Sequence, residues 1–229
     1  AALMAGILLQ LETRPLLAGL LLGLLTYKPH FGLLFPIALI CGGYWRVLLA
    51  ATAATLAILV LSWLITPASL AAFVAHLGNM GGNFLTEGSA GLYKQQSLYG
   101  LLRMLGVGDH TAFAAQSMLL LAMAVFVAWL WRSKRSLALK SAGLCTAALL
   151  ATPYLYFYDF PILAVAIAFL WRARAFSRGE TLLLVASQLV MAAFMVVNAP
   201  TGFGGAILVL IVIARRLPEL KTVLQSQPA

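Results

Sequence analysis

The sequence predicts an all-α protein, a polytopic transmembrane helical bundle with about eight or nine membrane segments, some of them short or re-entrant. Hydrophobic residues make up 63% of the chain and charged residues 9%, whereas a soluble domain has about a quarter of its residues charged. Several apolar runs are long and continuous, which excludes a barrel, since barrel strands alternate in segments of about ten residues. The basic residues lie in short loops, a pattern typical of membrane topology rather than of nucleic-acid binding.

The first apolar runs are of unequal length. Residues 1–11 form the C-terminal part of a helix that ends at a polar turn before Pro15. Two short runs, 16–26 and 31–41, flank the sequence Tyr-Lys-Pro-His. Because a span needs about twenty residues, these runs form either a re-entrant pair or two spans completed by their aromatic ends. Residues 47–65 are long enough for a full span.

The longest stretch outside the membrane is 66–110. Helical apolar spacing over 67–77 and 95–105 predicts two amphipathic helices on the membrane surface. The Gly- and Asn-rich residues 78–83 separate them. We expect this stretch to be a periplasmic loop within one integral membrane domain, residues 1–216.

The second half continues the alternation of spans and turns. Further spans are predicted in the second half, over 111–131, 137–151, 160–171, 182–197 and 206–214. Residues 198–205 are predicted to turn, and 217–229 to form a cytoplasmic tail. Because the chain starts inside an apolar run without Met, we also expect it to be cut from a longer protein.

The distribution of the 15 Lys and Arg residues predicts the orientation. If each run crosses once, only Lys28, Lys94 and Arg103 fall on one side, and the other twelve fall on the opposite side. Loops rich in Lys and Arg stay in the cytoplasm. The Tyr-Lys-Pro-His turn, the 66–110 loop and the turns at 152–160 and 198–205 are therefore predicted to meet on the non-cytoplasmic side.

A polar island interrupts the apolar sequence at Thr152–Pro161, which reads Thr-Pro-Tyr-Leu-Tyr-Phe-Tyr-Asp-Phe-Pro. Asp159 is the only acidic residue between Asp109 and Glu180. An ionisable residue at membrane depth usually faces a cavity, a partner or a substrate path. Equally, Asp159 would serve as the N-cap of the next helix, with the tyrosines as an interfacial belt.

The non-cytoplasmic face combines cations, aromatic rings and carboxylates. Lys and Arg suit a lipid-linked phosphate, because they neutralise the charge that develops on a leaving phosphate. Tyrosine rings and carboxylates suit a sugar, which stacks on the rings and donates its hydroxyl protons. A simpler interpretation of Lys28 is that it snorkels to the interface. Cys41 and Cys145 have no ligand partner at metal-binding spacing, so no metal site or cofactor is predicted.

Three segments resemble glycosyltransferase family 87, a family of bacterial membrane enzymes in the GT-C superfamily that includes mannosyl- and arabinofuranosyl-transferases. They are residues 16–36, residues 93–106 and the Thr-Pro-Tyr-Leu-Tyr-Phe-Tyr-Asp segment. The Lys-Pro turn and the Tyr-x-Tyr-Asp segment carry the resemblance most specifically. It extends over most of residues 1–175.

The resemblance implies a GT-C-like bundle in the bacterial inner membrane. It implies metal-independent transfer of a mannose-like hexose or a pentose from a polyprenyl-phosphate carrier to a lipid or glycan acceptor on the periplasmic face. The principal catalytic base of such enzymes lies in a first loop that we expect upstream of this chain. Carried over residue by residue, the candidates for binding the donor phosphate are Lys28, His30 and Arg103. The candidates for binding the sugar or acceptor are Gln95, Gln96, Tyr158 and Asp159.

Two other functions remain open at this stage. A secondary transporter also uses short interrupted segments, but these recur in two related halves, and only one copy is seen here. A non-catalytic membrane assembly subunit would contact membrane lipids without a polar cluster. We expect no nucleic-acid partner.

Overall fold

The computed structural model describes residues 1–68, 71–72, 75 and 91–217 of the 229-residue chain. These residues form helices joined by short turns, with no β-strand among them. The helices are α1 (Ala2–Gln10), α2 (Pro15–Leu24), α3 (Pro29–Gly32), α4 (Phe35–Gly42), α5 (Trp45–Ile65), α6 (Leu98–Met104), α7 (Asp109–Arg132), α8 (Leu137–Ala151), α9 (Pro161–Ala173), α10 (Arg178–Ala192) and α11 (Thr201–Arg215). The all-α prediction is confirmed for this part of the chain.

Among the described residues, three helices are long and apolar enough to cross a membrane: α5, α7 and α10 with its 3-10 extension to Met195. Shorter apolar helices cover Pro15–Tyr27, Pro29–Gly42, Leu137–Ala151 and Thr201–Arg215. The prediction of a membrane helical protein is therefore confirmed. The number of eight or nine membrane segments stays a prediction.

The turns of the bundle gather at two opposite ends. At the basic end, defined by residues 11–14, 43–46, 132–137, 173–178 and 215–217, the Tyr44 ring lies 5.8 Å from the Trp131 ring. At the aromatic end, defined by residues 25–30, 152–160 and 195–201, the Phe157 ring stacks 4.8 Å from Phe194. The chain thus alternates between the two ends as the charge pattern predicts. That the basic end is cytoplasmic stays a prediction.

Helices α2 and α5 run parallel and in close contact. A Cβ atom on Gly19 would lie 2.4 Å from the Ala50 Cβ, and one on Gly23 would lie 2.5 Å from the Ala54 Cβ. Gly19 and Gly23 are four residues apart, as are Ala50 and Ala54, so the two helices stay in register over a full turn. Small residues let helix backbones approach closely where lipid gives no hydrophobic driving force.

This register shows that the aromatic end is recessed. From the level of Gly23, α5 continues from Ala54 to Ile65, which is about 16 Å of helix. Lys28 lies only five residues beyond Gly23, so the chain turns before it reaches the end of α5. Likewise, Gln116 Nε2 donates to the Leu150 carbonyl at 2.9 Å, about 10 Å of helix inside the start of α7. The ends of α2 and α8 therefore lie short of the ends of the longer neighbouring helices, α5 and α7.

Only part of the predicted 66–110 loop is described. Residues 67, 68, 71, 72 and 75 are helical, and the segment 78–83 lies outside the described residues. The second predicted helix exists as α6, which is shorter than 95–105. It begins where the Ser97 hydroxyl accepts a hydrogen bond from the Gly100 amide at 3.2 Å. It ends before Gly106, whose φ of +83° favours glycine.

The structure changes one predicted boundary near the C-terminus and describes only the first residue of the predicted tail. The turn predicted over 198–205 is too long, because α11 begins at Thr201, directly after Pro200. Proline ends the preceding turn and removes a donor that the first helical turn does not need. The predicted tail, 217–229, lies outside the described residues except for Leu217.

A buried ion pair holds three helices together at the basic end. Arg216 binds the Glu180 carboxylate with two nitrogens, Nε at 2.7 Å and Nη2 at 3.1 Å. Arg216 Nη1 also donates to the Leu170 carbonyl at 2.6 Å. Arg174 Nη2 contacts the same carboxylate at 3.1 Å. Because Glu180 and Arg216 are almost fully buried, this pair fixes the ends of α9, α10 and α11 against one another.

Candidate functional site

An ion pair joins the two most polar turns of the aromatic end. Lys28 Nζ lies 2.5 Å from Asp159 Oδ1. The Asp159 side chain is 4% exposed and the Lys28 side chain 25%. The carboxylate is therefore the sequestered partner, and the ammonium is the partner that a ligand can reach.

Asp159 is held in place by its own turn. Residues Phe157–Asp159 form a 3-10 turn, and the second carboxylate oxygen accepts the Tyr156 amide at 3.3 Å. Helix α9 begins after Phe160, and no side chain caps its N-terminus. The simpler interpretation, in which Asp159 caps the next helix, is therefore wrong. Asp159 caps the 3-10 turn with one oxygen and binds Lys28 with the other.

Lys28 lies between a 3-10 turn, Leu25–Tyr27, and Pro29 at the start of α3. Its Nζ is 4.4 Å from the centre of the Tyr158 ring and 5.6 Å from that of Phe31. An ammonium group near aromatic faces gains from the ring quadrupole. The side chain thus turns toward Asp159 and the aromatic rings, and the snorkelling interpretation of Lys28 is not what the structure shows.

These groups border a cavity of about 290 Å³. Tyr27, Lys28, Phe31, Tyr158 and Asp159 line it, together with apolar residues of α1 and α9. The Tyr27 and Tyr158 rings are exposed. Tyr158 also stacks on Tyr156, with ring centres 5.6 Å apart and planes 5° from parallel. The cavity therefore combines one ion pair with flat aromatic walls.

His30 precedes Phe31, which lines this cavity, but His30 itself does not line it. Its ring packs against Phe31, with centres 4.3 Å apart. Its Nε2 is buried and has no hydrogen-bond partner among the described residues. A buried nitrogen in this state is costly unless a ligand or water binds it. His30 remains a candidate for binding a phosphate oxygen.

Gln96 connects three segments of the aromatic end. Its backbone amide donates to the Leu155 carbonyl at 2.7 Å, and its side-chain oxygen accepts the Gly202 amide at 2.8 Å. Its Nε2 donates to the Tyr93 carbonyl at 2.7 Å. Gln95 is buried beside it. These contacts make Gln96 a brace that positions the corner, and both glutamines lie outside the cavity lining.

Arg103 belongs to a second cluster, on α6 and the start of α7. Its Nε is 3.9 Å from Asp109 Oδ1, and its Nη1 donates to the Val107 carbonyl at 3.0 Å. The Tyr99 hydroxyl donates to the same carboxylate oxygen. Burial, together with this hydrogen bond, raises the pKa of Tyr99 to about 12, so the phenol stays protonated. Arg103 is thus paired away from the Lys28 cavity.

The structure brings together three of the seven predicted site residues. Lys28, Tyr158 and Asp159 meet at one cavity, whereas the other four, His30, Gln95, Gln96 and Arg103, lie outside its lining. Sequence reasoning missed Tyr27 and Phe31, which line the cavity. Their position beside Lys28 was the available signal. Among the described residues, no group of three His, Cys, Asp or Glu forms that would hold a metal ion.

Comparison with known families decides the assignment. The family model for glycosyltransferase family 87 matches residues 1–153, about two thirds of the 229-residue chain. The chain belongs to glycosyltransferase family 87. No curated protein and no solved structure matches it in the two other comparisons.

Family membership indicates glycosyltransferase activity, and the apolar helices place that activity in a membrane protein. The matched range contains Lys28, His30, Gln95, Gln96 and Arg103, but it ends before Tyr158 and Asp159. The ion pair with Lys28 connects this unmatched corner to the matched part of the glycosyltransferase.

Proposed function

We propose that this glycosyltransferase transfers a mannose-like hexose or a pentose from a polyprenyl-phosphate carrier to a lipid or glycan acceptor on the periplasmic face. The observation that supports this most is the Lys28–Asp159 pair in a cavity beside exposed tyrosine rings. A cation suits the phosphate of a sugar phosphate, and a carboxylate and flat rings suit its sugar.

Lys28 is the group we assign to the donor phosphate. Its ammonium has three donors, and Asp159 Oδ1 occupies one of them. When the bond between sugar and phosphate breaks, the electron pair goes to the phosphate oxygen. A lysine at that oxygen stabilises the developing charge.

Tyr158 is the group we assign to the sugar, because it is exposed, lines the cavity and has an apolar ring on which a sugar stacks. Asp159 lines the same cavity but is almost fully buried, so its part in sugar binding is to hold Lys28 in place. A cavity of about 290 Å³ is at the small end for ligand sites, so it suits one sugar unit better than a long glycan. This volume suits the ring of a hexose and also the smaller ring of a pentose.

The recessed position of the cavity suits a donor on a lipid carrier. The turn at Lys28 lies inside the level reached by α5, and the end of α8 lies inside that reached by α7. A phosphate at this depth is reached along the membrane by a carrier whose tail stays in the lipid. A water-soluble nucleotide sugar has no lipid tail, so its phosphate would not need a site at this depth.

The acceptor hydroxyl must lose its proton as its oxygen attacks the sugar carbon. Asp159 is bound to Lys28 and to its own turn, so we assign it an orienting role. The principal base, which takes this proton, is none of the residues that we assign to the cavity.

The test is a transfer assay in membranes that contain the full-length protein. The probe is a short-chain polyprenyl-phosphate mannose with a tritium label, with polyprenyl-phosphate arabinofuranose as the second donor. We expect label in a lipid or glycan product, and Lys28→Met should lower the rate about ten- to a hundredfold. Lys94→Met is the matched control, because Lys94 is an exposed lysine outside the cavity. Transfer from a nucleotide sugar in membranes free of polyprenyl phosphate would refute the proposed donor.

A further inference from the structure

A second groove lies at the basic end, far along the bundle from the candidate active site. Its volume is about 680 Å³, and Arg14, Pro15, Leu16, Leu17 and Arg46 line it. Both arginines are exposed. Among the described residues, neither forms an ion pair with a carboxylate.

The helix register brings the two arginines together. Gly23 packs at the level of Ala54 and Gly19 at the level of Ala50. One further turn toward the basic end places Pro15 at the level of Arg46, which agrees with the lining of the groove. Arg14 and Arg46 are therefore neighbours because of the contact between α2 and α5.

Helices α2 and α5 both begin at the two arginines, and neither has an acidic residue in its first turn. Glu12, two residues before Arg14 in the sequence, accepts a hydrogen bond from the Tyr44 hydroxyl at 3.2 Å and forms an ion pair with neither arginine among the described residues. A phosphate between Arg14 and Arg46 would accept from two planar guanidinium groups.

An apolar surface continues from the groove along α2. Leu16, Leu20 and Leu24 recur every four residues and are all exposed, so they share one face of the helix. This face extends about 12 Å from the arginines. Trp45, next to Arg46, is also exposed, and Trp is enriched where a membrane meets water.

We propose that this groove binds one anionic phospholipid, with its phosphate between Arg14 and Arg46 and an acyl chain along Leu16, Leu20 and Leu24. The charge of the two arginines and the apolar face together fit a phosphodiester lipid such as phosphatidylglycerol. The proposal does not depend on the proposed glycosyl transfer, because the two sites lie at opposite ends of the bundle.

The test uses the full-length protein, purified in detergent, and native mass spectrometry with added lipid. Phosphatidylglycerol should bind about ten- to thirtyfold more tightly than zwitterionic phosphatidylethanolamine. The double variant Arg14→Gln/Arg46→Gln should lose this preference, whereas Arg132→Gln should keep it. Arg132 is the matched control because it is an exposed arginine at the same end, outside the groove.

Fluorescence quenching gives a second measurement, which does not rely on mass spectrometry. Brominated phosphatidylglycerol should quench the fluorescence of wild-type protein more than that of Trp45→Phe, and the double variant should remove this difference. Retained lipid preference in the double variant would overturn the proposal. Displacement of phosphatidylglycerol by inorganic phosphate alone would also overturn it. So would a wild-type dimer that the double variant converts into a monomer, because the groove would then be an interface between two copies.

Discussion

Lys28 Nζ and Asp159 Oδ1 lie 2.5 Å apart although the two residues are 131 positions apart in the sequence. The pair connects the turn after α2 to the corner before α9. It also joins the part of the chain that matches the family model to the part beyond it.

Asp159→Asn should lower sugar transfer about ten- to a hundredfold, because a charge-assisted hydrogen bond contributes about 1.5–3 kcal/mol. Asn keeps the shape of the side chain and its acceptor for the Tyr156 amide, so the fold should remain intact. The measurement is the transfer rate at matched expression in membranes. A near-normal rate would mean that Asp159 only caps its own 3-10 turn.

Lys28→Met and Asp159→Asn should not be additive in stability. Either change alone leaves one charge without its partner in a site where Asp159 is buried. The double variant removes both charges, and we expect a coupling free energy of about 1 kcal/mol or more. Thermal unfolding of the four proteins in detergent measures it. Strict additivity would mean that the pair is not formed.

Gly19→Ala should destabilise the contact between α2 and α5 by about 1–3 kcal/mol. The added methyl group would lie 2.4 Å from the Ala50 Cβ and 2.8 Å from the Val47 carbonyl oxygen. Gly32→Ala is the matched control, because nothing lies within 4 Å of its added methyl group. Equal unfolding temperatures for the two variants would contradict the close parallel packing.

Glu180→Gln should destabilise the basic end by about 3–5 kcal/mol, since it leaves the buried Arg216 guanidinium without its carboxylate. Glu12→Gln is the control: Glu12 is exposed and accepts only the Tyr44 hydroxyl, so its effect should stay within about 0.5 kcal/mol. Denaturant unfolding compares them. Similar effects of both changes would show that burial of the pair contributes nothing.

Reporter fusions test the orientation of the bundle. Fusions after Arg135, Arg178 and Arg216 should report the cytoplasm, because the basic residues gather at that end. Fusions within 79–92 and 199–204 should report the periplasm. A cytoplasmic signal from 199–204 would place the Lys28 cavity on the wrong side for the proposed reaction.

Local sequence patterns predicted the helices and the two ends of the bundle. Apolar runs of span length, broken by Pro, Gly and basic turns, depend only on neighbouring residues, so they can be identified without the tertiary structure. The same patterns identified Lys28 and Asp159 as polar residues that needed an explanation. The helix start at Thr201 was missed because the small residues after Pro200 looked like part of a turn.

Only the tertiary structure determined which polar residues meet. In a membrane protein, the lipid-facing and the buried sides of a helix are both apolar, so periodicity does not indicate which face packs on which neighbour. The close approach at Gly19 and Gly23 set the register that aligns Arg46 with Pro15. The packing of the short helices likewise brought Lys28 to Asp159 and left Arg103 with Asp109. The sequence by itself thus determined the helices and the candidate polar residues, whereas contacts between distant helices decided which of those residues form the site.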